Sequence, residues 1–258
     1  MKKFFLLIVL ALTLTQLFAQ NASKSSKSDS KEDRNYRIPL IGEKAPEFTA
    51  ETTNGTLNFP SDFGRKWKIL FSHPQDFTPV CSTEIIELAH LQGELDKLGV
   101  KIAVISADPV ETHIQWKKSL ESLDINNRGT VKINFPLIGD DDVKISKLYG
   151  MIHPESNTTK SVRGVFIIDP ENVIQTIYFY PSNIGRNTDE ILRTVTALQT
   201  SAQQSTADSH VLTPVNWNPG KDLLVSIPPK AQANKSATDV PAGYFSPVWY
   251  MWYKKASQ

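Results

Sequence analysis

The chain has one cysteine, Cys81, in 258 residues, so no disulfide can close within it. It has no paired Cys/His spacing of the zinc-binding kind, no glycine-rich phosphate loop and no internal repeat. Neither a metal nor an organic cofactor is therefore expected. Neither charge sign dominates: 28 Lys and Arg face 27 Asp and Glu, a net charge of +1. That balance argues against a nucleic-acid partner and against general attraction to anionic membranes. The aromatic residues are scattered, with no basic stripe beside them. No apolar run reaches the ~20 residues of a membrane span, and the C-terminal tail lacks the apolar stretch of a lipid-anchor signal. No stable membrane association is expected. A hydrophobic content of 40% suits a globular core.

Residues 1–19 read as a secretory signal peptide. Lys2 and Lys3 precede an apolar stretch from Phe4 to Leu12, and Ala19-Gln20 is the expected cleavage point. Export, to a secreted or periplasmic location, follows as an expectation. Residues 20–37 are rich in Ser, Lys, Asp and Asn, which predicts a disordered linker. The globular part should begin near Ile38.

Asn54-Gly55 between short strand-like pieces signals a hairpin. Trp67 to Ser72 reads as a buried strand. The apolar positions Val80, Ile85, Leu88, Leu91, Leu95 and Leu98 predict a helix ending at Gly99. Val100 to Ser106 is a second apolar strand. Asp108 and Glu111 look like a capped helix start, leading to His113, Trp116 and Leu120 at helical spacing. A short helix is expected from Asp142 to Tyr149, strands over 164–168 and 173–180, and a helix from Thr188 to Gln203. Composition changes after Asp208, and Leu223 to Ile227 reads as a further strand. Alternating strands and helices followed by a hairpin give an α/β class.

The stretch Phe71 to Glu84 organises this plan. Thr78 suits a helix N-cap and Pro79 the first helical position, which puts Cys81 in the first turn. Unpaired N–H groups and the helix dipole there favour an anion such as a thiolate. A free thiol of pKa ~8.5 falls to roughly 3.5–7.5 in such places. A lone cysteine is more often a small buried hydrophobe, but here Pro79 holds Thr78 extended and two threonine hydroxyls flank the sulfur. Glu84, one turn beyond Cys81, can pair with a cation; its bland alternative is an exposed helix carboxylate.

The spacing Pro74, Thr78, Cys81 resembles the Pro-x-x-x-Thr-x-x-Cys signature of the peroxiredoxins. The longer string from Ser72 to Glu84 resembles the one-cysteine, peroxiredoxin-6-type branch, and the resemblance runs from about Ile41 to about Tyr253. It implies a thioredoxin-like fold, a central mixed sheet flanked by helices, over residues 38–207, and a small C-terminal extension domain over 208–258. It implies a thiol-dependent peroxidase that reduces hydrogen peroxide and organic hydroperoxides through a sulfenic acid on Cys81. By the same resemblance Arg163, opening its strand, orients the peroxide and holds the sulfur anionic. Thr78 contacts sulfur and peroxide, Pro74 shields them from water, and Arg186 is a second arginine near the pocket. His73 matches a family histidine near the sulfur, against a purely structural alternative, and His113 with Trp116 reads as helix packing. A phospholipase activity of some relatives is not carried over, since Lys66 and Pro60 occupy the positions of its serine and histidine.

No second cysteine can resolve the sulfenic acid, so an external thiol or other reductant is required. The resemblance also implies a homodimer or larger assembly, for which residues 173–180 could supply an exposed edge strand. Two other functions compete. A thiol–disulfide oxidoreductase would need a C-x-x-C pair that is absent. A non-enzymatic, chaperone-like or structural assembly could use the same scaffold.

Overall fold

In the computed structural model, which describes residues 37–226, 240 and 242–256, the Asn54-Gly55 turn joins β1 (Phe48–Thr52) to β2 (Gly55–Phe59) as an antiparallel hairpin. There follow β3 (Trp67–Ser72), α1 (Pro79–Lys97), β4 (Val100–Ser106), α2 (Val110–Leu120), β5 (Leu137–Gly139), α3 (Lys144–Leu148), β6 (Arg163–Ile168), β7 (Ile174–Tyr180) and α4 (Thr188–Gln204). These strands form one seven-stranded mixed sheet in the order β2-β1-β5-β4-β3-β6-β7. β3, β4 and β5 run parallel, while β6 is antiparallel to β3 and β7 is antiparallel to β6.

The central strands are apolar along their length because both faces are covered. On one face Ile69, Phe71, Val104 and Val165 pack against Ile85 and Leu88 of α1, Trp116 of α2 and Ile191 and Val195 of α4. On the other, Leu70, Ala103, Ile105 and Phe166 pack against Phe59, Ile145 and Tyr149. β7 is an edge of the sheet, as its sequence suggested. A second, four-stranded antiparallel sheet, β10-β11-β9-β8, is built from β8 (Val211–Leu212), β9 (Leu223–Val225), β10 (Tyr244–Val248) and β11 (Met251–Lys254). Trp217, Leu223, Val225 and Trp252 close its core against Ala197 of α4.

Several local expectations are corrected. Thr78 takes the extended N-cap backbone, but its hydroxyl makes no cap bond and donates instead to the Gln75 carbonyl at 2.8 Å. Asp108 does not cap α2 either. Its N-cap is Pro109, and the Asp108 carboxylate accepts from the Asp76 amide and the Ser106 hydroxyl. The helix expected over 142–149 is the single stretch Lys144–Leu148; Val143 before it has φ 52°, a left-handed backbone that a helix cannot run through. Of the strand expected over 223–227, Leu223–Val225 is present, and Ile227 lies outside the described residues. The signal peptide and almost all of the 20–37 linker lie outside the described residues. No helix among the described residues is long and apolar enough to cross a membrane.

Candidate active site

The end of β3 and the start of α1 place the sulfur. Leaving the sheet at Ser72, the chain turns through Phe77, whose φ of 54° is uncommon for a residue with a side chain. Pro79 then holds Thr78 extended (φ −113°, ψ 147°) and fills the first helical position. Cys81 sits two residues further on, in the first turn. It is fully buried and lines a cavity of about 370 Å³. Pro74, Gln75, Thr78, Lys160, Arg163 and Ser182 also line that cavity.

Arg163, the first residue of β6, reaches across from the neighbouring strand. Its Nη1 donates to Cys81 Sγ at 3.3 Å and to Glu84 Oε2 at 2.6 Å. Its Nε and Nη2 both donate to the Ser182 carbonyl. The guanidinium is thus fixed on three sides and faces the sulfur with its charge.

Glu84 holds the arrangement together. It accepts from Arg163 and also from the backbone N–H, Nε and Nη2 of Arg186, each at 2.8 Å. Burial alone would raise its carboxyl, but the bonds and charge of Arg186, with the charge of Arg163, outweigh it and hold the group below its ordinary value. Arg186 completes its own set by donating Nη1 to the carbonyls of Ser72 and Gly164, and its guanidinium lies 3.4 Å over the Phe71 ring. Burial lowers the arginine, opposed by Glu84. So the sequence-derived pairing of Glu84 with Arg163 is present, and Arg186 sits behind Glu84 rather than on the cavity wall.

His73 is brought near the site but not into the cavity lining. It is fully buried, tilts against Trp116 at 5.0 Å between ring centroids, and shares Asp76 with His113. His73 Nε2 meets Asp76 Oδ1 at 2.8 Å and His113 Nδ1 meets Asp76 Oδ2 at 2.7 Å. Burial lowers the His73 imidazole despite Asp76, so it stays neutral. The other ring nitrogen of His113 pairs with the Ile138 carbonyl. His113 is therefore more than helix packing: it ties α2 to the loop after β3. Asp76 was not singled out from sequence. Its proximity to His73 was visible there, but His113 lies 37 residues away. His73, Asp76 and Asp108 lie within reach of a common ion, and the hydrogen bonds among these side chains and their backbone neighbours already engage both carboxylates.

A buried cysteine at a helix N-terminus, held by an arginine at the floor of a small cavity, on a mixed sheet flanked by helices, defines a thiol enzyme of the thioredoxin-like class. The AhpC/TSA family model matches residues 41–177. A peroxiredoxin of Methanosarcina mazei is 43% identical over 223 residues, 86% of this chain and 100% of its own length. The mitochondrial peroxiredoxin PRX1 of Saccharomyces cerevisiae is 41% identical over 203 residues, 76% of this chain and 73% of its own. A structure of the yeast mitochondrial 1-Cys peroxiredoxin, from work on thiol resolution by the glutathione and thioredoxin systems, superimposes with a TM-score of 0.71 at 37% identity, covering 84% of this chain and 99% of that one. A cysteine-to-serine form of peroxiredoxin 6 from Arenicola marina gives a TM-score of 0.70 at 32% identity, covering 85% and 99%. The chain belongs to the AhpC/TSA family: it is a single-cysteine peroxiredoxin, a thiol peroxidase on a thioredoxin-like fold.

Proposed function

We propose that Cys81 is the peroxide-reducing nucleophile and that Arg163 aligns its substrate. The observation that carries this is the 3.3 Å contact from Arg163 Nη1 to Sγ at the cavity floor. The thiolate attacks one peroxide oxygen, the O–O bond breaks, and the other oxygen leaves with the electron pair and takes a proton as water or an alcohol. The attacked oxygen stays on sulfur, giving the sulfenic acid. Arg163 stabilises the negative charge that develops on the departing oxygen. Thr78, with its hydroxyl proton engaged by Gln75, offers its oxygen as an acceptor for a protonated peroxide oxygen. Pro74 narrows the cavity around the sulfur. Glu84 and Arg186 position Arg163, and His73 belongs to the supporting network behind the loop.

An external thiol then restores Cys81, because the chain has no other cysteine. The yeast relative's resolution through glutathione and thioredoxin systems supports a thiol in that role here. The division into a peroxidase domain over 38–207 and an extension domain over 208–258, export of the chain after loss of residues 1–19, and association into a homodimer or larger assembly complete the reading. The edge position of β7 supports the last of these. The test is peroxide consumption with a thiol reductant by the wild type and by Cys81→Ser. The variant should fold and consume none; peroxide turnover by it would refute Cys81 as the nucleophile.

A further inference from the structure

The cavity over Cys81 is much larger than a hydrogen peroxide molecule needs. At about 370 Å³ it falls in the range of sites that take small organic ligands. Cys81 itself is fully buried and opens only onto this space among the described cavities. Any thiol that reduces its sulfenic acid must bring its sulfur through the same opening, so the wall of the cavity selects the reductant.

That wall carries charge of one sign. Arg163 and Lys160 line it, and no aspartate or glutamate does. The two cations differ in what they have to spare. Arg163 is already held by Glu84, the Ser182 carbonyl and the sulfur. Lys160 is half-buried, and its ammonium donates to Gln75 Oε1, a neutral group also on the wall. Among the described residues it is paired with no carboxylate. Its backbone is fixed on both sides: Asn157 Oδ1 accepts from the Lys160 amide at 2.9 Å, and the next residue, buried Ser161, donates to the His73 carbonyl at 2.9 Å. Lys160 is therefore a held cation with two donor positions free, in the opening through which a thiol must pass.

We propose that Lys160 selects the reductant, favouring a small thiol that carries a carboxylate. This deepens the peroxidase reading and rests on Cys81 as the nucleophile. The carboxylate pairs with the Lys160 ammonium, and the thiolate attacks Sγ. The S–S bond forms as the S–O bond breaks, and the oxygen leaves as water after taking a proton. A second thiol attacks the outer sulfur of the mixed disulfide and releases the Cys81 thiolate and a low-molecular-weight disulfide. In sum, two thiols are oxidised and one sulfenic acid is reduced.

The test uses the full chain oxidised with stoichiometric hydrogen peroxide, with the sulfenic acid on Cys81 verified by intact mass. Re-reduction is then timed with three probes of similar size, 3-mercaptopropionate, 2-mercaptoethanol and cysteamine, and rates are expressed per thiolate. The wild type should prefer the anionic probe over the neutral one and the neutral one over the cationic. In Lys160→Gln the anionic-to-neutral ratio should fall about two- to five-fold, the scale of a single half-exposed ion pair. Lys160→Glu should invert the preference, and Lys160→Arg should keep it. Each ratio is taken within one protein, so a change in general stability cancels. In the wild type alone, added salt should erode the anionic advantage and leave the neutral rate alone. An unchanged ratio in Lys160→Gln, or a salt-insensitive preference, overturns the role of Lys160 with the peroxidase intact. Failure to form a sulfenic acid on Cys81 overturns the nucleophile assignment, and this inference with it.

Discussion

Glu84→Gln separates charge from shape at the point on which two arginines converge. The side chain keeps its length, but one carboxylate oxygen becomes an amide that donates. In the native arrangement Oε1 accepts from Arg186 N and Nε, and Oε2 from Arg186 Nη2 and Arg163 Nη1, at distances of 2.6–2.8 Å. Whichever way the amide turns, it points a donor at two donors, and two buried guanidinium groups lose their counter-charge. Breaking a buried pair in this manner costs about 3–5 kcal/mol, a large part of the ~5–15 kcal/mol that holds a domain folded. At ~2–4 °C per kcal/mol for a domain of this size, the melting temperature should fall by about 6–20 °C. Arg163 also loses the group that aims it, and a displacement near 1 Å slows the chemical step about a hundredfold. Urea unfolding followed by tryptophan fluorescence measures the first effect, and stopped-flow oxidation of Cys81 the second.

The pH dependence of this stability gap is a sharper test. The Glu84 carboxyl in the folded protein is held below its ordinary 4.5, where burial is outweighed by the arginines. Its contribution is therefore complete above pH 4.5 and is lost as pH falls through the depressed value. The difference between wild type and Glu84→Gln should be widest at neutral pH and narrow in acid. A gap under ~1 kcal/mol at pH 7, the size of an exposed pair, or a gap that does not narrow in acid, would refute the reasoning.

Three further outcomes are expected. Arg163→Ala should slow sulfenic acid formation about 10²–10³-fold, the effect of removing one preorganised charge-stabilising donor; stopped-flow kinetics at matched peroxide would reveal a surface role if the rate stayed at the wild-type value. His73 is held neutral by burial below its ordinary 6.5, so the unfolded chain takes up a proton first and stability should decline as pH drops below 6.5, by at most about 1.4 kcal/mol per pH unit. In His73→Gln that part of the slope should vanish, and equal slopes in urea midpoints at pH 7, 6 and 5 would contradict it. Gly150 has φ +61°, and an added Cβ would lie 2.8 Å from Ile38 Cα, so Gly150→Ala should lose more than the ~1–3 kcal/mol of a strained backbone. Gly129→Ala, with φ +82° and open space, should lose only the backbone part; equal melting temperatures for the two variants would show that Ile38 yields.

Local chemistry made much of this protein legible in its sequence. Thr78-Pro79 starts α1 because proline restricts the residue before it and needs no partner for a missing N–H. Gly99 follows the end of that helix with φ +69°. β3 and β4 are readable as buried strands because both of their faces are covered, which leaves near-continuous apolar runs. The family motif placed Pro74, Thr78, Cys81 and Arg163 on one site, and all of them line one cavity.

The tertiary structure alone decided what lies behind and above the sulfur. β5 is three residues long, too short to carry a periodicity, and is a strand only because β4 and β1 pair with it on either side. β10 and β11 were not read as strands for a related reason: their pairing, with each other and with β9, gives them their form. The loss of the expected caps at Thr78 and Asp108 has one cause, competition from nearby acceptors and donors that no spacing rule ranks. Glu84 looked like a helix carboxylate with one cation in reach, yet it holds two, because Arg186 returns to it from 102 residues away. Asp76 acquires His113, and Lys160 acquires its place over Cys81, in the same manner. A sequence displays which groups carry charge and which segments seek burial. Which distant charges meet is settled when the sheet closes, since a buried charge is tolerated only where the fold supplies its partner.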